Sequence, residues 1–213
     1  MMTEKHLTKV ATVGLTVGFL LAGAGLWTGS AATAGNPPTP VTSTQAATTQ
    51  ASHKAKIVKV TMHIVSGEKK LEGQEQPYFT NPAWQKTSGG PVAAGDIVKL
   101  TIVSNDDGPA PAPAYTKVKG TVRGTETING KTVSEVAAKR ISHTFTVPAL
   151  GLNLPIPAAP EGRTVTVSAT IKVTKAGAFN WQCFAPCGSG SSGWGGAMVT
   201  NGWMKGTISI KKA

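Results

Sequence analysis

Residues 163–173 read RTVTVSATIKV, with Val165, Val167, Ala169, Ile171 and Val173 at alternate positions and Thr164, Thr166, Ser168, Thr170 and Lys172 between them. An α-helix would scatter these aliphatic side chains around its circumference, whereas an extended strand places all of them on one face. Residues 56–65, 97–104 and 205–211 alternate in the same way. Stretches rich in Gly and Pro separate them (TSGGPVAAGD, NDDGPAPAPA, GLNLPIPAAPEG), and no segment carries an apolar helical stripe three turns long. Short alternating strands with such punctuation predict an all-β domain, a sandwich or barrel.

The alternation starts only near residue 56. Residues 10–27 form an uncharged, mostly apolar run behind a mildly basic start, followed by Ala32-Thr33-Ala34 in a small-x-small pattern. This reads as an export signal over residues 1–35, with an uncleaved membrane anchor through residues 10–27 as the rival. Either places the remainder outside the cytoplasm: secreted, periplasmic or on the outer face of the membrane. Residues 36–52 (NPPTPVTSTQAATTQAS) hold no charge and no aromatic, too little apolar surface to order themselves. A flexible linker is therefore expected over residues 36–55 and a single domain over 56–213.

Formal net charge is +11; removing residues 1–35 takes away two lysines and one glutamate and leaves +10. The lysines are scattered, so nucleic acid is not the expected partner; an acidic protein or an anionic surface suits the charge better. Between residues 105 and 141 the strand pattern is interrupted by a Pro/Ala stretch and by a segment in which Asn129-Gly130 marks a two-residue hairpin turn. We read residues 107–140 as an inserted hairpin, a surface excursion in preference to a partner-docking flap.

Chemistry-bearing residues are few. Of four histidines, His6 falls in the export segment, His53 ends the linker, and His63 shares a strand face with Lys59 and Thr61. His143 differs: in ISHTFTV it shares a face with Ile141, Phe145 and Val147, which puts an imidazole on the apolar side of a strand. Both cysteines stand within WQCFAPCGSG, where Cys183 shares an inward face with Phe179 and Trp181, and Cys187 follows four residues later. A glycine-rich loop then leads to Met204 and a last strand, KGTISIKK. Histidine on one strand, then cysteine, loop and methionine before another, is the ligand order of a mononuclear copper site. Imidazole suits both copper oxidation states, thiolate donates strongly, and a weak thioether tunes the potential.

These segments also resemble a known family. GAFNWQCFAPCG…WMKGTISIKK is similar to the C-terminal end of cupredoxins of the azurin type. HTFTVPALGLNLPIP with the Cys-x3-Cys-Gly run resembles the copper domain of cytochrome oxidase subunit II. The resemblance covers residues 143–211 well and residues 56–104 weakly, and it implies a cupredoxin-like Greek-key β-sandwich. Two departures stand out. The dinuclear oxidase pattern calls for histidine and methionine where this chain has Ser191 and Trp194, and the azurin-like pattern calls for histidine where Thr200 stands. No histidine follows His143.

The expected ligand set is accordingly His143, Cys183, Cys187 and Met204 around one copper ion, with Met198 as a further thioether in the same loop. So many sulfur donors favour Cu(I). The alternatives are a Cys183–Cys187 disulfide in a metal-free domain, zinc, or a thiol-redox pair. The expected role is one-electron transfer as an extracytoplasmic copper protein, against a redox partner or copper donor or acceptor. Copper handling without electron transfer and a metal-free interaction module are the alternatives. No nucleophile–base pair, open metal cluster or carboxylate pair has positional logic, so no enzymatic activity is expected.

Overall fold

The computed structural model describes residues 53–213. The export or anchor segment and the linker up to residue 52 lie outside the described residues. Strand β1 (Ile57–Val65) is followed by the two-residue strands β2 (Lys70–Leu71), β3 (Gln74–Glu75), β4 (Tyr78–Phe79) and β5 (Thr87–Ser88), then by β6 (Ile97–Ser104). The insertion holds β7 (Glu126–Ile128) and β8 (Lys131–Val133). Beyond it come β9 (Ile141–Val147), β10 (Leu152–Pro157), β11 (Val165–Lys172), β12 (Gly177–Gln182) and β13 (Lys205–Ile210). The helical elements among the described residues are single 3-10 turns.

Two main sheets form, one in the order β4-β1-β6-β11-β7-β8 with β5 also on β1, the other β10-β9-β12-β13. The all-β sandwich expected from the alternation is what the chain builds. In β11 the four aliphatic side chains point into the core, as does Val173 just beyond it, and the residues between them do not. The first sheet is mixed, because β1 and β6 run parallel in register from Ile57↔Ile97 to Ile64↔Ser104. Parallel neighbours need a long crossover, here residues 66–96. At the centre Phe79, Phe145 and Trp181 meet, with centroids 4.9 Å apart for Phe79–Trp181 and 5.3 Å for Phe145–Trp181. Full burial of one such side chain contributes about 1.5–3 kcal/mol, so this cluster fixes how β9 and β12 sit on the first sheet.

The insertion is joined to both main sheets. Its hairpin forms at Asn129-Gly130, both at positive φ (46° and 83°), the conformation that this dipeptide supplies to a two-residue turn. Strand β7 then pairs with β11 and lengthens the first sheet. The stretch before the hairpin lies against the second sheet, where Lys119 and Asn153 exchange main-chain hydrogen bonds. Asn153 Nδ2 donates to the carbonyls of Tyr115 and Lys117 at 3.0 and 2.8 Å. For that reason Ser142, Thr144 and Thr146, which alternation alone would turn to solvent, are buried with the rest of β9.

Candidate metal centre

Strands β9 and β12 are neighbours, paired at Gln182↔Thr146, so His143 and Cys183 arrive at the same end of the second sheet. Cys183 N–H donates to the Met204 carbonyl at 2.8 Å, which closes the loop between β12 and β13 at its base. Inside that closure Cys183 Sγ lies 4.0 Å from His143 Nδ1 and 3.6 Å from Cys187 Sγ. Cys187 Sγ in turn lies 3.4 Å from Met198 Sδ. The His143, Cys183 and Cys187 donor atoms all fall within 4.8 Å of one another. Both cysteines are free thiols.

The charge arrangement is set by burial and a short chain of hydrogen bonds. Burial raises the Cys183 thiol, but the bond to Cys187, the bond and charge of His143 and the Thr144 N–H (3.3 Å) outweigh it and hold Cys183 well below the usual thiol range. The bond to Cys183, together with burial, pushes Cys187 up. Burial acts to lower His143, whereas its bonds to Asp106 and Cys183 raise it to about 9. At neutral pH the metal-free site therefore holds a Cys183 thiolate, a Cys187 thiol and an imidazolium.

The donor atoms fit a soft ion. With metal–sulfur bonds of about 2.3 Å, two sulfurs at the corners of a tetrahedron stand about 3.8 Å apart. The observed sulfur–sulfur separations of 3.4 and 3.6 Å lie slightly inside that spacing, and His143 Nδ1 stands 4.0 Å from Cys183 Sγ. His143 and Cys183 are fully buried (0% exposed), so any ion held between them is shielded from water. Thiolates, one imidazole and a thioether are donors that select soft metal ions.

Asp106 carries no mark in the sequence that points to the site. Its Oδ2 lies 2.8 Å from His143 Nε2, the ring nitrogen turned away from the sulfurs. Burial raises the Asp106 carboxyl, but the bond and charge of His143 and the Gly108 N–H hold it below the ordinary carboxylate range. A carboxylate accepting from one imidazole nitrogen leaves the other free as a lone-pair donor toward an ion, and it fixes the ring plane. Asp106 stands immediately before the insertion, and Tyr115 within it stacks on Phe184 at 4.7 Å and 6° between planes. The insertion and the residue before it thus brace both ligand-bearing stretches. Asp106→Asn is expected to weaken metal binding about 10–100-fold while leaving the stoichiometry unchanged, measured by chelator competition.

The remaining candidate residues separate. Met204 is buried and tied to the site through its main chain: its N–H donates to Ala197 O at 3.1 Å and its carbonyl accepts from Cys183. The thioether in contact with a cysteine is that of Met198. Of the tryptophans, Trp181 is core, and Trp203 packs edge-on against Tyr78 at 5.8 Å. Trp194 stands 43% exposed on the ligand loop. His63 is exposed as expected, and His53 caps Asp96 at 2.8 Å, far along the chain from the cluster. His6 lies outside the described residues.

No family model matches this chain, and no curated protein matches it in sequence. Among solved structures, the copper protein rusticyanin, a cupredoxin, superimposes at 19% identity and a TM-score of 0.34, over 75% of this chain and 80% of that one. Structures of substituted rusticyanins superimpose at 17% identity and the same TM-score and coverage. The donor atoms, rather than that superposition, mark this cluster as a candidate metal centre.

Proposed function

We propose that His143, Cys183, Cys187 and a methionine thioether hold one copper ion and that the protein carries single electrons outside the cytoplasm. The observation that carries this reading is the donor cluster in which contacts run from His143 Nδ1 through the Cys183 and Cys187 sulfurs to Met198 Sδ. Copper, when bound, supplies a one-electron couple. The chain's own part is to exclude water, to keep the imidazole oriented through Asp106 and to hold the sulfurs where either oxidation state finds them. Such carriage needs no open coordination position and no catalytic group, so we assign no enzymatic activity. The partner in this reading is a redox protein or copper donor with an acidic surface, in keeping with the chain's net charge of +11.

One observation favours a second reading. Two cysteines and a thioether against a single imidazole form a sulfur-rich set, which suits Cu(I) handling without electron transfer. Adding Cu(II) anaerobically to the reduced protein separates the two. Electron carriage predicts an intense thiolate-to-copper absorption and reversible voltammetry, whereas binding of Cu(I) alone supports handling.

Either reading predicts proton release. Cys187 is held protonated and His143 titrates at about 9, so both must lose a proton before they can ligate, while Cys183 is already a thiolate. Apparent Cu(I) affinity should rise about 100-fold per pH unit between pH 6 and 8 and about tenfold per unit above the His143 titration, where Cys187 still holds its proton. A calorimetric series in buffers of different ionisation enthalpy counts the protons; a count of zero contradicts the assigned charge states.

A further inference from the structure

We propose that Gln76 is a positioning residue for this centre and determines that the Met198 thioether is the one set against Cys187. The inference rests on the copper reading for its consequence, though not for its geometry. Gln76 follows β3, 121 positions from the loop it touches, and is 3% exposed. Its carboxamide is satisfied at both ends by main chain: Nε2 donates to Leu71 O at 2.8 Å, and Oε1 accepts from Ala197 N–H at 2.7 Å. A buried glutamine with both ends engaged is a rigid strut, because losing either bond leaves a buried polar group unpaired.

The strut bears on the residues that carry the thioether. Met198 ends the 3-10 turn Gly196–Met198. Gly196 sits at φ 51° directly on the Gln76 amide, where a Cβ would stand 2.1 Å from Oε1. On the far side Gly188 crowds the Met198 side chain, since a Cβ there would stand 2.7 Å from Met198 Cγ. The methionine is therefore confined between the strut and the limb of the loop that follows Cys187. The hairpin β2–β3 ties that limb as well, through Ser189 Oγ donating to Glu72 Oε2 at 3.0 Å.

Ala197 is the node of the arrangement. Its N–H goes to Gln76, its carbonyl accepts from Met204 N–H, and the Met204 carbonyl accepts from Cys183 N–H. A continuous chain of hydrogen bonds thus runs from Gln76 through the Ala197 and Met204 main chain to the first cysteine ligand. Met204 is held in that chain as main chain, whereas Met198 is left to present its sulfur to Cys187.

The test is a double-mutant cycle on the full chain with Cu(I) as the probe, using Gln76→Leu, Met198→Leu and the pair. Each single change should lower Cu(I) affinity about tenfold or more, the range expected for residues that orient ligands. The double variant should be no weaker than Met198→Leu alone. Multiplicative losses would overturn the inference, as would a Met198→Leu variant of wild-type affinity beside a weakened Met204→Leu. A metal-free readout runs in parallel: Cys187 should react faster with an aromatic disulfide reagent in Gln76→Leu than in wild type, and an unchanged rate counts against the strut. Should Gln76→Leu not melt cooperatively, Ser189→Ala removes the second tie at the surface and should shift the same rate in the same direction; no shift contradicts the clamp. If wild type binds no Cu(I), the copper reading fails, while the thiol-reactivity arm still decides whether Gln76 sets the loop.

Discussion

Cys183→Ser is expected to abolish stoichiometric Cu(I) binding while leaving the fold intact. Cys183 joins the imidazole to the other thiol: its sulfur touches His143 Nδ1 and Cys187 Sγ and accepts from Thr144 N–H. Removing it should cost more than the roughly 10–100-fold that loss of an outer partner costs. A serine hydroxyl can still accept from Thr144, so no buried donor is orphaned and the thermal midpoint should move by only a few degrees. The change also removes the thiolate whose bond pushes Cys187 up, so the Cys187 titration should fall back toward the ordinary thiol range. Chelator competition and a pH series of thiol alkylation read the two effects separately. Retained one-to-one binding would contradict the site. Wild-type protein that shows no free thiols and binds copper only after reduction would instead point to the Cys183–Cys187 disulfide.

The second large effect lies away from the metal. Glu126 opens β7 with both carboxylate oxygens buried and without a hydrogen-bond partner among the described residues, at 2% exposure. Burial pushes its pKa from 4.5 up to about 8. The native chain therefore keeps a proton that the unfolded chain gives up above pH 4.5. Relative to acid, stability falls as pH rises from about 4.5 to 8, by about 4 kcal/mol for a gap of this size at 1.36 kcal/mol per unit, taken at pH 8 where the native group is half ionised. Glu126→Gln removes the titration and keeps the shape. Urea unfolding of the two proteins should give a gap that widens in the variant's favour by about that amount between pH 4.5 and 8. Parallel pH profiles would show that the carboxylate finds a partner or water in solution.

Much of the sandwich could be read from alternation because its long strands bury one face, and a period of two records that directly. The same rule misplaces Ser142, Thr144 and Thr146. Their outward side is covered by the insertion, and coverage by a distant segment leaves no local periodicity. His143, Cys183 and Cys187 stood out because an imidazole and two thiols are rare in this chain and fall at inward strand positions or in one loop. Asp106 and Gln76 had no such mark. One lies in a turn-like NDDG and the other between two short strands, and each acts only through contacts made 37 and 121 positions away. The two methionines show the same limit. Sequence order favours Met204, next to the last strand, whereas the loop's own packing brings the Met198 sulfur to Cys187.

The central claim is that one copper ion sits among these sulfur donors with a single imidazole. X-ray absorption at the copper edge, on protein loaded anaerobically with one equivalent of Cu(I), tests it most directly. The account predicts a first shell dominated by sulfur, from Cys183, Cys187 and a methionine, with one nitrogen from His143. A shell of nitrogen and oxygen alone, or a copper–copper vector from a dinuclear centre, would contradict it.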